Sequence, residues 1–181
     1  FFQHIICSMK EDTGRCAILW PHGILFRDSE KEMRKKLIES DVVECIIGLG
    51  ENLFYNSPME SCIVICRKNK PKERKNKIIF INGYNDVIKE KQMAYLSPEN
   101  IQNLYGLFLN YDEVSRKTHI ATIEEVADNG YSLNVPLYVQ KYELGEIETS
   151  FKETLESWEK TSKEVQITTK ELFNNLKEVI R

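Results

Sequence analysis

Two segments of this chain carry residue types that could hold a flat polar ring, and each begins where an apolar run stops. Glu51-Asn52-Leu53-Phe54-Tyr55-Asn56-Ser57-Pro58 offers two adjacent aromatics, two amides and a proline. Aromatic faces stack on planar rings and amides bond their edges, so Phe54, Tyr55, Asn56 and Pro58 form the candidate ring-binding set. The competing reading is that Phe54 or Tyr55 folds back into the core, and the residues alone leave both open. The second segment, Trp20-Pro21-His22-Gly23-Ile24-Leu25-Phe26-Arg27, contains a histidine that could act as acid or base. No carboxylate or thiol stands at a spacing that suggests a partner for His22, which therefore reads as a loop histidine. Trp20 and Phe26 read as core.

Other features carry less chemistry. Cys62 and Cys66 have a metal-like spacing but flank Ile63-Val64-Ile65 with no second pair and no nearby histidine, so they read as free thiols and no metal is expected. Gly48-Leu49-Gly50 lacks the third glycine and the following helix start of a nucleotide fingerprint. The basic run Arg67, Lys68, Lys70, Lys72, Arg74, Lys75 and Lys77, relieved among charged residues only by Glu73, could meet phosphates. A solvated hairpin turn is the expectation, because an antiparallel strand before it would deliver the run to the end of the sheet away from the two loops.

The elements that must position these segments follow from hydropathy patterning. Phe2, Ile5, Ile6 and Met9 mark an opening helix, and Cys16-Ala17-Ile18-Leu19-Trp20 is an unbroken apolar run expected to be a strand buried on both faces. Ser29 and Glu32 have capping-box spacing before a helix over about 29–40, and residues 42–49 form a second buried strand. This order is the βαβ grammar of a parallel sheet covered by helices. The short loop at 51–60, with no helix in it, predicts that the strand at 61–66 returns antiparallel. A further strand covers 78–81. Ligands of an open α/β sheet bind beyond the carboxyl ends of its parallel strands, where both candidate loops would emerge.

Farther on, Ser97 caps a helix with Pro98 at its first position, and Thr122 with Glu125 makes a second capping box. Residues 129–136 read as a turn and extended segment. From Tyr142 onward Leu144, Phe151, Trp158, Val165, Leu172 and Val179 recur every seven residues, with Ile147, Leu155, Leu176 and Ile180 widening the stripe. Such a heptad predicts a long helix packing on another helix, and Phe151, Trp158, Val165 and Leu172 are its candidate partner interface.

The bulk composition is that of a globular domain: 181 residues, 41% hydrophobic and 29% charged. A formal charge of -3 and a pI near 5.8 argue against holding nucleic acid by bulk positive charge. Five cysteines, an odd number mostly in apolar runs, point to a reducing, cytoplasmic compartment. No run approaches the roughly 20 apolar residues of a membrane span, so no membrane association is expected. The chain begins at Phe1, within a helical pattern, and is expected to be a fragment of a longer protein.

Several blocks, in order, resemble the modification subunits of type I restriction systems. They are Trp20-Pro21-His22-Gly23-Ile24-Leu25-Phe26-Arg27, Met33-Arg34-Lys35-Lys36-Leu37-Ile38, the stretch from Gly48-Leu49-Gly50 through Asn56-Ser57-Pro58-Met59-Glu60-Ser61-Cys62, Lys77-Ile78-Ile79-Phe80-Ile81-Asn82, and Ser132-Leu133-Asn134-Val135-Pro136-Leu137-Tyr138-Val139. The resemblance covers about residues 1–140. It implies an α/β fold, the C-terminal half of a class I S-adenosylmethionine-dependent methyltransferase sheet whose final strand is antiparallel, followed by a long C-terminal helix. It also implies methylation of adenine N6 in DNA with S-adenosylmethionine as cofactor, and a target base flipped out of the duplex, since its amino group is unreachable in the stack. By position Phe54 or Tyr55 would hold that base, beside an active-site-side loop at Pro21, His22 and Gly23. The implied partners are DNA, a DNA-specificity subunit and a restriction subunit.

The family's glycine-rich cofactor motif and its Asn-Pro-Pro-Phe motif lie N-terminal to the matching region and are absent here, so no catalytic residue is expected in this chain. Asn56-Ser57-Pro58-Met59 is not a disguised copy of the second. The chain by itself is expected to be inactive. Expected organisation is a methyltransferase half-domain at 1–90, a closing helical and extended segment at 91–140, and an assembly helix at 141–181. The alternative function is a non-catalytic interaction module whose heptad helix binds a partner subunit.

Overall fold

The computed structural model describes residues 1–54, 57–90, 93–139 and 151–179, and in the last stretch the side chains of 155–170. The chain divides into two units, Phe1–Tyr142 and Glu143–Arg181.

In the first unit, strands β1 (Arg15–Pro21), β2 (Val43–Leu49), β3 (Ser61–Arg67) and β4 (Lys77–Gly83) are followed by a small antiparallel pair, β5 (Ile88–Glu90) and β6 (Met93–Tyr95), and then by β7 (Thr118–Thr122). Five of them form one sheet in the order β1-β3-β2-β4-β7. β3 lies antiparallel between β1 and β2, as its short connection requires, while β2 and β4 are parallel. The pairings Pro21 with Ser61, Ser61 with Leu49 and Leu49 with Gly83 align the carboxyl ends of β1, β2 and β4 with the start of β3. One edge of the sheet therefore receives the residues after Pro21, Leu49 and Gly83 and the residue before Ser61.

Burial explains the strand order. β2 is buried at every position because β3 and β4 flank it and helices cover both faces. On one face Cys62, Val64, Phe80 and Ile46 pack with α1 (Phe2–Ser8), α2 (Lys31–Glu39) and α4 (Ile123–Asp128). On the other, Ile47, Leu49, Ile79 and Ile81 pack under Leu104, Leu107 and Phe108 of α3 (Pro98–Asn110). Phe80 is fully buried and its ring stacks on Tyr138 at 3.8 Å between centroids, clamping the closing segment to the sheet. Truncating such a ring to Ala costs about 3–5 kcal/mol.

Three sequence expectations are corrected here. β1 is not buried on both faces: it is an outer strand of alternating exposure, with Leu19 52% exposed, because its outer edge has no partner among the described residues and its second face no cover. Ser29 does not cap α2. Its hydroxyl bonds the neighbouring Glu30 carboxylate, and the helix begins at Lys31 after Glu30 with no side-chain cap. The basic run is only partly a solvated turn, since Lys70 is buried against Asp41 at 2.6 Å and Arg74 bonds the buried Glu44 at 3.2 Å and stacks over Tyr111. Their carboxylate partners lie about 30 residues earlier, out of reach of any local pattern. β7 was not marked by periodicity either, because Thr118 and His119 dilute its apolar residues.

The other helix starts agree with their sequence signals. Ser97 accepts from the Asn100 N–H and Thr122 from the Glu125 N–H. Glu125 does not close the box, however, as its carboxylate is bonded to His119 Nε2 at 3.0 Å.

Among its described residues the second unit is one helix, α5 (Phe151–Val179). Trp158, Val165 and Ile167 are exposed along it, and Trp158 is 66% exposed. The side chains of Phe151 and Leu172 lie outside the described residues. No helix among the described residues is long and apolar enough to cross a membrane.

Candidate functional site

β1 ends on Pro21, and the chain turns at once into a short 3-10 helix, His22–Leu25, because proline can occupy the strand's last position but cannot donate to a ladder beyond it. Gly23 lets Arg27 fold back over this turn: a Cβ there would lie 2.6 Å from Arg27 Nε. Arg34, buried on α2, binds the turn from below, donating to the Ile24 and Arg27 carbonyls at 3.1 and 2.7 Å and to the Tyr131 carbonyl at 3.0 Å. One side chain thus satisfies three carbonyls and fixes the first candidate loop against the closing segment.

His22 stands at the centre of what this arrangement gathers. Its backbone N–H donates to the Glu60 carbonyl at 3.0 Å, and its Nδ1 lies 2.8 Å from Glu60 Oε2. A carboxylate only accepts, so Nδ1 carries the proton. On the far side of the ring Nε2 is 3.1 Å from the Tyr84 hydroxyl and 2.9 Å from Asn134 Oδ1. Burial pushes the Tyr84 phenol up, with Glu60 and then Cys62 adding to the effect, so the hydroxyl stays protonated and can donate to Nε2 when that nitrogen offers its lone pair. Asn134 serves either state of Nε2: Oδ1 accepts from an Nε2–H, and the amide turned over donates to the lone pair. Only 12% of the His22 side chain is exposed.

Tyr84 reaches this position across Gly48, where an added Cβ would meet its ring at 2.6–2.7 Å. At Gly50 a Cβ would meet the Tyr84 carbonyl and Val87, each at 2.6 Å. The two glycines of Gly48-Leu49-Gly50 therefore make room for this chain's own residues after β4.

The loop at 51–60 is held at both ends. At its start Lys89 pairs with Glu51 at 2.8 Å and the Ala94 N–H donates to the Asn52 carbonyl at 3.0 Å, which lays the β5–β6 pair along it. At its end Glu60 is held by His22. Between these anchors Phe54 is half-buried and bridges to Ser57, while Pro58 is exposed. Tyr55 and Asn56 lie outside the described residues.

The structure thus brings Pro21, His22 and Gly23 to the same sheet edge as the 51–60 loop. His22 is not a lone loop histidine: its partners stand 38, 62 and 112 residues away. Sequence reasoning missed Glu60, Tyr84, Asn134 and Arg34. Three of these lie within the quoted family blocks as polar residues beside apolar ones, a signal of buried polar contacts, whereas Tyr84 has only its place after a strand's end.

Other groups offer less. Cys62 and Cys66 project on one face of an extended strand, four residues and about 13 Å apart, too far for one metal ion. Among the described residues there is no cluster of three or more metal-ligating side chains. A wide groove lies over the exposed face of β1 and β3, lined by Ala17, Ile63, Ile65, Ile101, Tyr105 and Leu109. It is mostly apolar, with Arg15, Arg67 and Arg74 also among its lining, and His22 is not part of it.

The chain is similar to known proteins of one family. The sequence model of the family described as N-6 DNA Methylase matches residues 1–146. The chain is 40% identical over 133 residues to the type I restriction enzyme MjaVIII methylase subunit of Methanocaldococcus jannaschii, covering 71% of this chain and 23% of that protein. It is 33% identical over 171 residues to the MjaVII methylase subunit of the same organism, covering 92% and 30%. Among solved structures, the type I restriction-modification system methyltransferase subunit from Streptococcus thermophilus matches with a TM-score of 0.71 and 30% identity, over 77% of this chain and 29% of that one. The chain spans about a quarter to a third of the length of these relatives.

Proposed function

We propose, from the premise that this chain belongs to the N-6 DNA methylase family, that it is the part of a site-specific adenine-N6 DNA methyltransferase that carries the target-base loop and a subunit-assembly helix. The observation that supports this most is convergence: the blocks after β1, before β3 and at Asn134, far apart in the chain, meet through His22 at the carboxyl edge of the sheet. That edge is where α/β sheets bind ligands. A loop anchored at both ends and carrying Phe54 and Tyr55 suits the capture of a flipped adenine, whose ring stacks on an aromatic and whose edge needs polar partners.

The residues described here do not fit S-adenosylmethionine. Gly48 and Gly50, where a ligand could approach the backbone closely, are filled by Tyr84 and Val87, and the carboxylates at this edge are engaged: Glu60 by His22, Glu51 by Lys89 and Asp86 by Lys117. Cofactor binding and methyl transfer belong, in this reading, to the remainder of a longer methylase, and the open edge of β1 with its apolar groove is the surface that remainder covers. DNA, a specificity subunit and a restriction subunit are the partners of that whole protein, and the cytoplasm its compartment.

The test uses the full methylase with its specificity subunit, measuring transfer of labelled methyl groups to cognate DNA. Loss of one base-stacking contact is worth about 1–3 kcal/mol, so Phe54→Ala or Tyr55→Ala should lower turnover about tenfold to a hundredfold. Wild-type turnover in both variants would make the loop structural. The second reading, a non-catalytic module acting through α5, rests on the exposure of Trp158 and Val165. It is favoured if the intact protein assembles with a partner subunit but transfers no methyl group.

A further inference from the structure

His22 makes more contacts than a turn residue needs. The turn is already held by Arg34, through the Ile24 and Arg27 carbonyls, and by the Leu133 N–H donating to the Leu25 carbonyl at 2.8 Å. The ring adds nothing to those bonds. It joins instead three points outside the turn: Glu60 at the end of the 51–60 loop, Tyr84 after β4, and Asn134 in the closing segment.

We propose that His22 is a positioning residue for the target-base loop, a latch whose backbone and ring both grip Glu60 while Tyr84 and Asn134 hold the ring from behind. The inference rests on the target-base reading of the loop. Its logic is geometric. The start of the loop is pinned at Asn52 by the β5–β6 pair and Phe54 bridges to Ser57, so the Glu60 end is the remaining point that sets how this bridged segment is held. Ser61, the next residue, is fully buried in the sheet and cannot move with the loop. The ring's orientation is set by two partners on Nε2, which leaves Nδ1 aimed at one place. Misplacing a positioned group by about 1 Å can cost about a hundredfold in rate, so a latch at this end acts on chemistry it never touches.

The two ring nitrogens can be tested separately, because an asparagine amide nitrogen reaches the place of Nδ1 and a glutamine amide nitrogen that of Nε2. His22→Asn keeps a donor to the Glu60 carboxylate, whereas His22→Gln puts a donor toward the Tyr84 hydroxyl oxygen and Asn134 Oδ1 and drops the Glu60 carboxylate, the backbone bond to Glu60 remaining in both. The assay is the assembled full-length methylase with cognate DNA carrying 2-aminopurine at the target adenine, together with methyl transfer on unmodified DNA and hydrogen exchange of 51–60. We expect His22→Gln to lower kcat about tenfold or more, to reduce the 2-aminopurine signal and to speed exchange in the loop, with the KM for S-adenosylmethionine unchanged. His22→Asn should recover most of all three. Glu60→Ala, at a partly exposed side chain, should reproduce His22→Gln and serves if the latter does not assemble.

A merely structural histidine would give a different result: both His22 variants would lose activity in proportion to their loss of Tm. That outcome, or wild-type rate and loop exchange in both His22→Gln and Glu60→Ala, overturns the latch while leaving the methyltransferase reading intact. A wild-type enzyme that transfers no methyl group overturns the reading, and the latch with it.

Discussion

Replacing Gly48 by Ala tests whether that glycine exists to seat Tyr84. The added Cβ would lie 2.6 Å from Cζ, 2.7 Å from Cε2 and 2.7 Å from the hydroxyl of Tyr84. Ordinary contact begins near 3.4 Å, so the ring must retreat by about 0.8 Å, the difference between 3.4 and 2.6 Å. Tyr84 is only 4% exposed, so the ring must move against packed neighbours rather than out into solvent. Its hydroxyl sits 3.1 Å from His22 Nε2, so the same displacement carries that bond out of range. Overpacking of a filled core costs about 1–3 kcal/mol, and the hydrogen bond about 1 kcal/mol more. The sum, about 2–4 kcal/mol, corresponds to a fall in Tm of roughly 4–16 °C for a domain of this size. Thermal and urea unfolding of the chain measure it, and the NMR signals of the His22 ring report the lost bond. A double variant with Tyr84→Leu should show less than additive cost, because the smaller side chain removes the clash. If Gly48→Ala changes stability by less than about 0.5 kcal/mol and leaves the His22 signals in place, the packing argument is wrong.

Three further outcomes are expected. Glu44→Ala leaves Arg74 and Arg67, at 3.2 and 3.6 Å, facing a buried site without its carboxylate; breaking such a pair costs about 3–5 kcal/mol, and because Arg74 keeps the Leu109 carbonyl and the Tyr111 ring we expect about 2–3 kcal/mol in urea unfolding. Cys16 is held down to about 7 by its hydrogen bond with the Cys66 side chain, which outweighs burial, while burial pushes Cys62 up to about 12. The Cys16 thiolate therefore grows in as pH rises through about 7, and in a Cys7→Ser background iodoacetamide labelling of Cys16 should level off by about pH 8 while Cys62 stays unlabelled, as mass mapping would show. A Cys16 rate that still climbs steeply above about pH 8 would contradict the lowered thiol. Trp158→Asp with Val165→Asp should leave the first unit folded by circular dichroism and abolish co-purification with the specificity subunit, whereas normal yield would remove α5 from that interface.

The local sequence determined those parts of the protein whose cause is local. Unbroken apolar runs place β2, β3 and β4, a short helix-free loop forces β3 to return antiparallel, and Ser97 with Pro98 starts α3. Each follows from hydropathy spacing or backbone chemistry over a few residues. The family resemblance was legible in the same way, as ordered blocks of residues. Tertiary structure decided the rest. β1 reads like β2 in composition, and only its place at the outside of the sheet exposes Leu19. Lys70 and Arg74 look solvated until the fold brings Asp41 and Glu44 beneath them. His22 shows no partner within reach of any motif, because a side-chain hydrogen bond needs only closeness in space. The partners were supplied by β3 entering between β1 and β2, by Tyr84 crossing Gly48 and by the closing segment returning across Leu25.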